Sequence, residues 1–303
     1  MPRFVSMGAL LGVVVGCASP PPPQAVVPAA AVLQVRQAAV THDREAPDEA
    51  LRDAINALQD RFKCNAISGC AAHAQLVQFG WAARPVVEQS FARAGLQSSW
   101  RARAVQIVAE LGDPQGEPFL ARLSDDRDPE VRAWALVGLG KLGTPRHHGL
   151  IALQAGTDTL WLAAPRLAAL WAQDQLGQPG AGAAFSAELA ALAQQQMAAT
   201  ALVVGVWLCR QPGSPDCGAV LPVIAKHANF QVRRDALQAM LARLRPHFAE
   251  ALVYLTNDQA RSIRSGAEEG LVALSGEVTL TGHAAWQGWC LSGGCAKLAG
   301  VKL

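Results

Sequence analysis

The sequence predicts an all-α, right-handed solenoid of stacked helical hairpins, closed at its C-terminal end by a small disulfide-pinned cap. Three observations carry this reading. Residues 100–114, which open on Trp100-Arg101 and close on Asp113-Pro114, return 31 positions later between Val131-Arg132 and Thr144-Pro145, with Arg101 falling on Arg132 and Ala104 on Ala135. The same offset carries Val232-Arg233 onto Ile263-Arg264 and Ala236 onto Ala267. Glycines follow the last apolar residue of successive helical stretches at Gly80, Gly95, Gly112 and Gly143, where a left-handed residue ends a helix.

Composition sets the outer bounds. The chain has 303 residues, 51% of them apolar and 17% charged, so it can bury a substantial core and is too apolar for disorder. Its formal net charge of +2 offers no general attraction for a phosphate backbone, and nucleic acid is not expected as a partner.

The elements follow in order. Residues 1–16 read as a leader: Met1-Pro2-Arg3 supplies a positive start, and the apolar run of residues 4–15 is shorter than the roughly 20 residues a spanning helix needs. It ends in Val14-Val15-Gly16-Cys17, which resembles the bacterial lipobox. That resemblance implies a lipid on Cys17, anchorage to a membrane of the bacterial cell envelope and, with Ala18 in the next position, the periplasmic side of the outer membrane. Residues 17–33, with Pro20 to Pro23 in succession, form a Pro/Ala-rich tether that favours extended polyproline over helix. Residues 34–64 read as N-terminal capping helices, because Leu51, Ile55, Leu58 and Phe62 recur at helical spacing after an interruption at Pro47.

Residues 65–276 hold about six helix pairs. Helices are expected over 71–79, 82–94, 99–111, 117–123 and 130–142, the last with Asp128 as its cap and Pro129 in the first helical position, where a missing donor costs nothing. Residues 150–196 break the pattern: Trp161 stands where valine is expected, no arginine follows it, and glycines and a proline interrupt 177–182. The pattern resumes over 197–207, 219–226, 231–243, 246–255 and 259–274. Residues 277–303 lack it and are read as the cap that solenoids need over an exposed apolar end.

Apart from Cys17, six cysteines fall as three local pairs: Cys64 with Cys70, Cys209 with Cys217, and Cys290 with Cys295. An even number in an exported chain suggests disulfides, and local clustering favours the nearest-neighbour set, with free thiols as the alternative. No pair is a CxxC and no histidine completes a ligand set, so no metal is expected.

Leu123, Asp126, the run Asp128-Pro129-Glu130-Val131-Arg132, and Ala135 together resemble HEAT repeats of the short type found in phycobiliprotein lyases. The resemblance covers roughly residues 65–275. It implies an interaction surface on the concave side, lined by the second helix of each pair, and a hydrogen-bonded ladder between a turn Asp and an Arg six places on. Asp126 with Arg132 and Asp258 with Arg264 match that spacing; His227 before Arg233 and Gly95 before Arg101 depart from it. Small residues at Ala104, Ala135, Ala236 and Ala267 would let neighbouring helices approach closely.

Several local patterns suggest chemistry and are better read as structure. Gly138-x-Gly140-x-x-Gly143 matches the dinucleotide-binding signature, but that motif follows a strand and opens a helix, whereas these glycines lie late in one. His147-His148 reads as a solvated pair, and no GxSxG is present. Trp100, Trp134, Trp161 and Trp207 fall in helical stretches and are expected to pack in the core. Arg101, Arg103, Arg233, Arg234 and Arg264, with Trp286 and Trp289 of the tail, are the candidate partner-binding residues.

The function expected is that of a membrane-tethered protein-interaction scaffold in the cell envelope. It would be no enzyme, would carry no cofactor, and would hold a protein partner on its concave face. The alternatives are an enzyme or lyase-like protein on the same scaffold, with His227, His247 and His283 as its main candidates, or a purely structural envelope component.

Overall fold

Helical hairpins succeed one another from Asp48 onward in the computed structural model, which describes residues 48–60, 64–65, 69–93, 100–156 and 160–300. The leader, Cys17, the tether, residues 34–47, Phe62 and Gly95 lie outside the described residues. The helices are α1 (Asp48–Gln59), α2 (Ala71–Gln78), α3 (Ala83–Arg93), α4 (Trp100–Leu111), α5 (Glu117–Leu123), α6 (Pro129–Leu142), α7 (His148–Ala155) and α8 (Ala163–Gln175). They continue as α9 (Ala181–Ala193), α10 (Ala199–Cys209), α11 (Leu221–Ile224), α12 (Phe230–Ala242), α13 (Ala249–Leu255), α14 (Arg261–Ser275), α15 (His283–Leu291) and α16 (Gly294–Leu298). Odd-numbered helices are the first and even-numbered the second of each pair, and each second helix packs on the next: α2 on α4, α4 on α6, and so on to α16. The molecule is an all-α solenoid.

Local chemistry explains the hairpins. Asp128 accepts from the Glu130 amide and Pro129 opens α6; Gly143 closes it at φ +68°, donating its amide to Leu139 O, and Gly112 repeats the left-handed conformation after α4. α6 is buried along most of its length, at Val131 and from Ala133 to Gly140, while Pro129, Glu130 and Arg132 of its first turn are partly open.

The count of pairs exceeds the sequence expectation. Among the described residues there are seven full hairpins and a shorter eighth, because residues expected to cap the N-terminus supply α1, the first helix of a hairpin with α2. The irregular stretch is also regular in space, since α7, α8 and α9 continue the stack with alanines in place of the motif residues: Ala163, Ala164, Ala168, Ala169 and Ala172 of α8 are all buried. The tail is itself helical, α15 and α16 packing on α13 and α14.

Disulfides join the three local pairs, Cys64–Cys70, Cys209–Cys217 and Cys290–Cys295. The first closes the turn of the first hairpin, where β1 (Cys64–Asn65) and β2 (Gly69–Cys70) pair antiparallel with Cys64 opposite Cys70; the last closes the turn of the eighth. The second ties the end of α10 to the approach to α11.

The three glycines of the apparent dinucleotide motif are packing and capping residues. A Cβ on Gly138 would meet Leu120 of α5 and Ala109 of α4, and one on Gly140 would lie 2.6 Å from Ala172 Cβ and 2.8 Å from its Cα. α6 and α8 therefore touch backbone to backbone at Gly140. Gly140→Ala is expected to cost about 1–3 kcal/mol by overpacking, whereas Gly149→Ala, with open space at its Cβ, gains about 0.5–1 kcal/mol from helix propensity. Urea denaturation of the two variants checks the opposite signs.

Candidate functional site

The turns between the helices of each pair are joined by an arginine ladder, but not with the partners the spacing suggested. Arg101 Nη2 donates to Asp126 Oδ2 at 2.9 Å, and Arg233 Nε to Asp258 Oδ2 at 2.6 Å; in both cases the arginine reaches the turn of the following hairpin, 25 residues on. Within its own turn the arginine binds carbonyls: Arg264 Nη1 donates to Asp258 O and Gln259 O, and Arg233 Nη1 to His227 O and Ala228 O. The other oxygen of each Asp caps the amide two residues later, Asp126 for Asp128 and Asp258 for Ala260. His227 occupies the same place, its Nδ1 accepting from Asn229 N at 3.0 Å. Arg132 stands at the ladder position of α6, and its Nε is buried without a hydrogen-bond partner among the described residues.

A second ladder, not foreseen from the sequence, runs between pairs. Arg84 Nε donates to Asp113 Oδ2, Arg146 Nε to Glu117 Oε1 and Arg245 Nη1 to Asp216 Oδ1, each across 29 residues. His147 belongs to it and is not a solvated residue: its Nε2 lies 2.5 Å from Glu117 Oε1, and the side chain is only 12% exposed.

These ladders absorb part of the predicted partner-binding set. Arg101 is 6% exposed beneath its ion pair, while Arg233 and Arg264 are committed to turn oxygens. Trp286 is fully buried in the cap against Trp289, so it offers no surface. Trp161 is corrected in the other direction: it lies in the 3₁₀ turn Leu160–Leu162, ahead of α8, and is 71% exposed, because helical spacing does not govern a residue outside the helix.

Trp289 stays partly exposed in the cap. Arg103 and Arg234 remain in the solenoid, and they lead to a cluster on the face formed by the second helices. Trp134 of α6 and Trp207 of α10 meet edge to face with ring centroids 4.9 Å apart, across the alanine-rich α8. Lys141 Nζ lies 5.7 Å from the Trp207 ring centre and 3.5 Å from Glu110 O. The Glu110 carboxylate is held by His73 of α2 at 3.1 Å and Gln106 at 2.8 Å. Arg234 of α12 donates to Asp235, and Arg103 of α4 lies close enough to Glu130 and Arg234 to feel both charges.

Burial dominates the electrostatics of this cluster. It pushes Glu130 up, with Asp128 adding repulsion and the Trp134 indole and Arg103 opposing; it pushes Asp235 up against the pull of Arg234; and it lowers Lys141 and Arg103. Glu110 is the exception, where His73, Lys141 and Gln106 outweigh burial and hold the carboxyl below its ordinary range. The Trp134 indole N–H lies near Glu130 but completes no hydrogen bond of good geometry, although the residue is only 2% exposed.

Residues 95–175 match the sequence profile of HEAT repeats. That segment is similar to HEAT repeats. Comparison with the curated proteins yields no match. The matched segment spans α4 to α8 and so includes Trp134, Glu110, Glu130 and Lys141, the centre of the cluster. The sequence pointed to Arg103 and Arg234 on the second helices but not to His73, Glu110, Glu130 and Lys141. Their signal, polar side chains on the open side of otherwise apolar second helices, is indistinguishable from an ordinary solvated face until the helices are stacked.

The opposite shifts have opposite pH signatures. Glu110 titrates lower folded than unfolded, so its contribution is present above the ordinary carboxylate range and lost as the pH falls through its folded value. Glu130 titrates higher when folded, so its ionised form destabilises the fold at neutral pH and the penalty disappears in acid. Glu110→Gln is therefore expected to lower the melting temperature at pH 7 and Glu130→Gln to raise it, with both differences shrinking toward about pH 4. Calorimetric melts across that range check the signs.

Proposed function

We propose that this HEAT-repeat protein is a lipid-tethered interaction scaffold of the bacterial cell envelope, holding a protein segment on the face of its second helices and performing no chemistry on it. HEAT repeats generally mediate protein–protein interaction, and the arrangement of that face supports the reading. One observation carries most weight: the half-buried Trp207 ring lies edge to face on Trp134 among desolvated charged side chains. Desolvated charges are costly in a purely structural face, where apolar side chains would do better. A partner that brings an apolar side chain to the Trp207 ring and opposite charges to the groups around it would offset that cost. Tryptophan and arginine are the side chains that most often anchor such contacts.

The tether rests on the lipobox-like Val14-Val15-Gly16-Cys17, and among the described residues no single helix is long and apolar enough to cross a membrane. The histidines considered for catalysis serve the scaffold: His227 caps a turn, His247 contacts Gly218 O and the Phe248 ring, and His283 Nδ1 bonds Thr256 Oγ1 at 2.9 Å.

A photo-crosslinking residue at Gln106 is expected to capture one defined envelope protein, and Trp207→Ala in the same chain to reduce that capture about ten-fold or more, the loss of a hot-spot aromatic. Capture unaffected by Trp207→Ala, or equal from a crosslinker at the exposed Leu153 of α7, would count against the reading. Independently, Cys17→Ala should leave unprocessed precursor and abolish labelling by a fatty-acid analogue; normal processing and labelling would remove the tether.

A further inference from the structure

Arg103 of α4 reaches the turn of the first hairpin, where its Nη1 donates to Cys64 Sγ at 3.0 Å. Among the described residues this guanidinium has no carboxylate in hydrogen-bond contact; Glu130 attracts it from a distance, Arg234 repels it, and burial disfavours its charge. A cation so poorly compensated, placed on a sulfur, is the environment that stabilises a thiolate. Both cysteines of the Cys64–Cys70 bridge are partly exposed. Cys290 of the third bridge is partly exposed as well, but its partner Cys295 is 5% exposed, and Cys209 and Cys217 are 2% and 3% exposed.

We propose that Cys64–Cys70 is a redox-active disulfide that exchanges with external thiols, and that Arg103 is the positioning residue which makes Cys64 the leaving sulfur. An incoming thiolate attacks Cys70 Sγ; the Cys64–Cys70 bond breaks and its electron pair passes to Cys64, which departs as a thiolate facing Arg103. The mixed disulfide on Cys70 is then resolved by the second thiol of the reductant. In net terms a dithiol is oxidised to its disulfide, Cys64 and Cys70 are reduced, and the two protons of the dithiol go to the protein sulfurs. The lower the basicity of the leaving sulfur, the faster this exchange. The two cysteines face one another in the β1–β2 pair, so reduction removes the only covalent tie in that turn. Because Arg103 also belongs to the second-helix face, the redox state of the first hairpin would alter the charge presented there.

The test is a glutathione titration of the full chain, with thiol trapping and mass spectrometry of each cysteine-containing peptide. Cys64–Cys70 is expected to open at a ratio of squared reduced to oxidised glutathione about ten-fold or more below that required by the other two bridges. Arg103→Met should remove most of that difference, and Arg103→Lys should restore part of it. In Cys70→Ser protein, thiolate absorbance at 240 nm should place Cys64 below the ordinary thiol value of about 8.5. The inference is overturned if Cys64–Cys70 opens together with or after the other bridges, or if both Arg103 variants match the parent. Should Arg103→Met fail to fold, the Arg103→Lys titration and the Cys70→Ser absorbance decide alone.

Discussion

Close approach of the second helices is the constraint from which the rest of the structure follows. At Gly140 no Cβ fits, because Ala172 of the next second helix occupies its place, and α8 presents buried alanines along its length. Dispersion contacts and burial between backbones at this distance replace the interdigitation of large side chains. Leucines of the first helices lie over two other second-helix glycines, Leu120 over Gly138 and Leu189 over Gly205. Small residues where second helices touch keep them in direct succession, and the contacts between hairpins depend on that succession.

The two ladders are consequences of the spacing. With hairpins repeating at a fixed interval, a first-turn arginine falls within reach of the next turn's aspartate, 25 residues away, and an arginine at or just before the head of a first helix within reach of a carboxylate 29 residues away. The pairs of the first ladder are partly buried, and Asp126 and Asp258 also bind backbone amides, which distinguishes them from exposed pairs of little energetic weight such as Arg245–Asp216. Asp258 illustrates the point: burial raises it, but Arg233, the Ala260 amide and Arg264 together hold its carboxyl below the ordinary range. The ladders specify the register of one hairpin on the next, and the apolar rows supply the adhesion.

The same closeness creates the unusual second-helix face. Trp134 and Trp207 belong to alternate second helices, and they meet because the helix between them carries alanine. Charged side chains that would be freely hydrated on an isolated helix are here crowded until burial becomes the largest influence on Glu130, Lys141 and Arg103. A face that retains such groups is poorly optimised as a core and well suited to receive a second surface.

The sequence determined the hairpins. Asp128 and Pro129 start α6, Gly143 ends it, and the 31-residue offset places Ala104, Ala135, Ala236 and Ala267 in equivalent positions; all of this is local chemistry repeated. It also determined the disulfide partners, since each pair lies within one turn. It was misleading where its signals were side-chain identities without helical context: the stretch after Leu150 lacks the motif yet stacks, because alanine alone satisfies the packing, and Trp161 is exposed because it precedes its helix. Tertiary structure alone decided which hairpin an arginine would bond, that Arg103 would lie against Cys64 across 39 residues, and that His73, Glu110, Trp134 and Trp207 would share one face. Such contacts join side chains from separate hairpins, and their distances depend on how closely the hairpins stack, a quantity set by the summed packing of many residues and not by any local pattern.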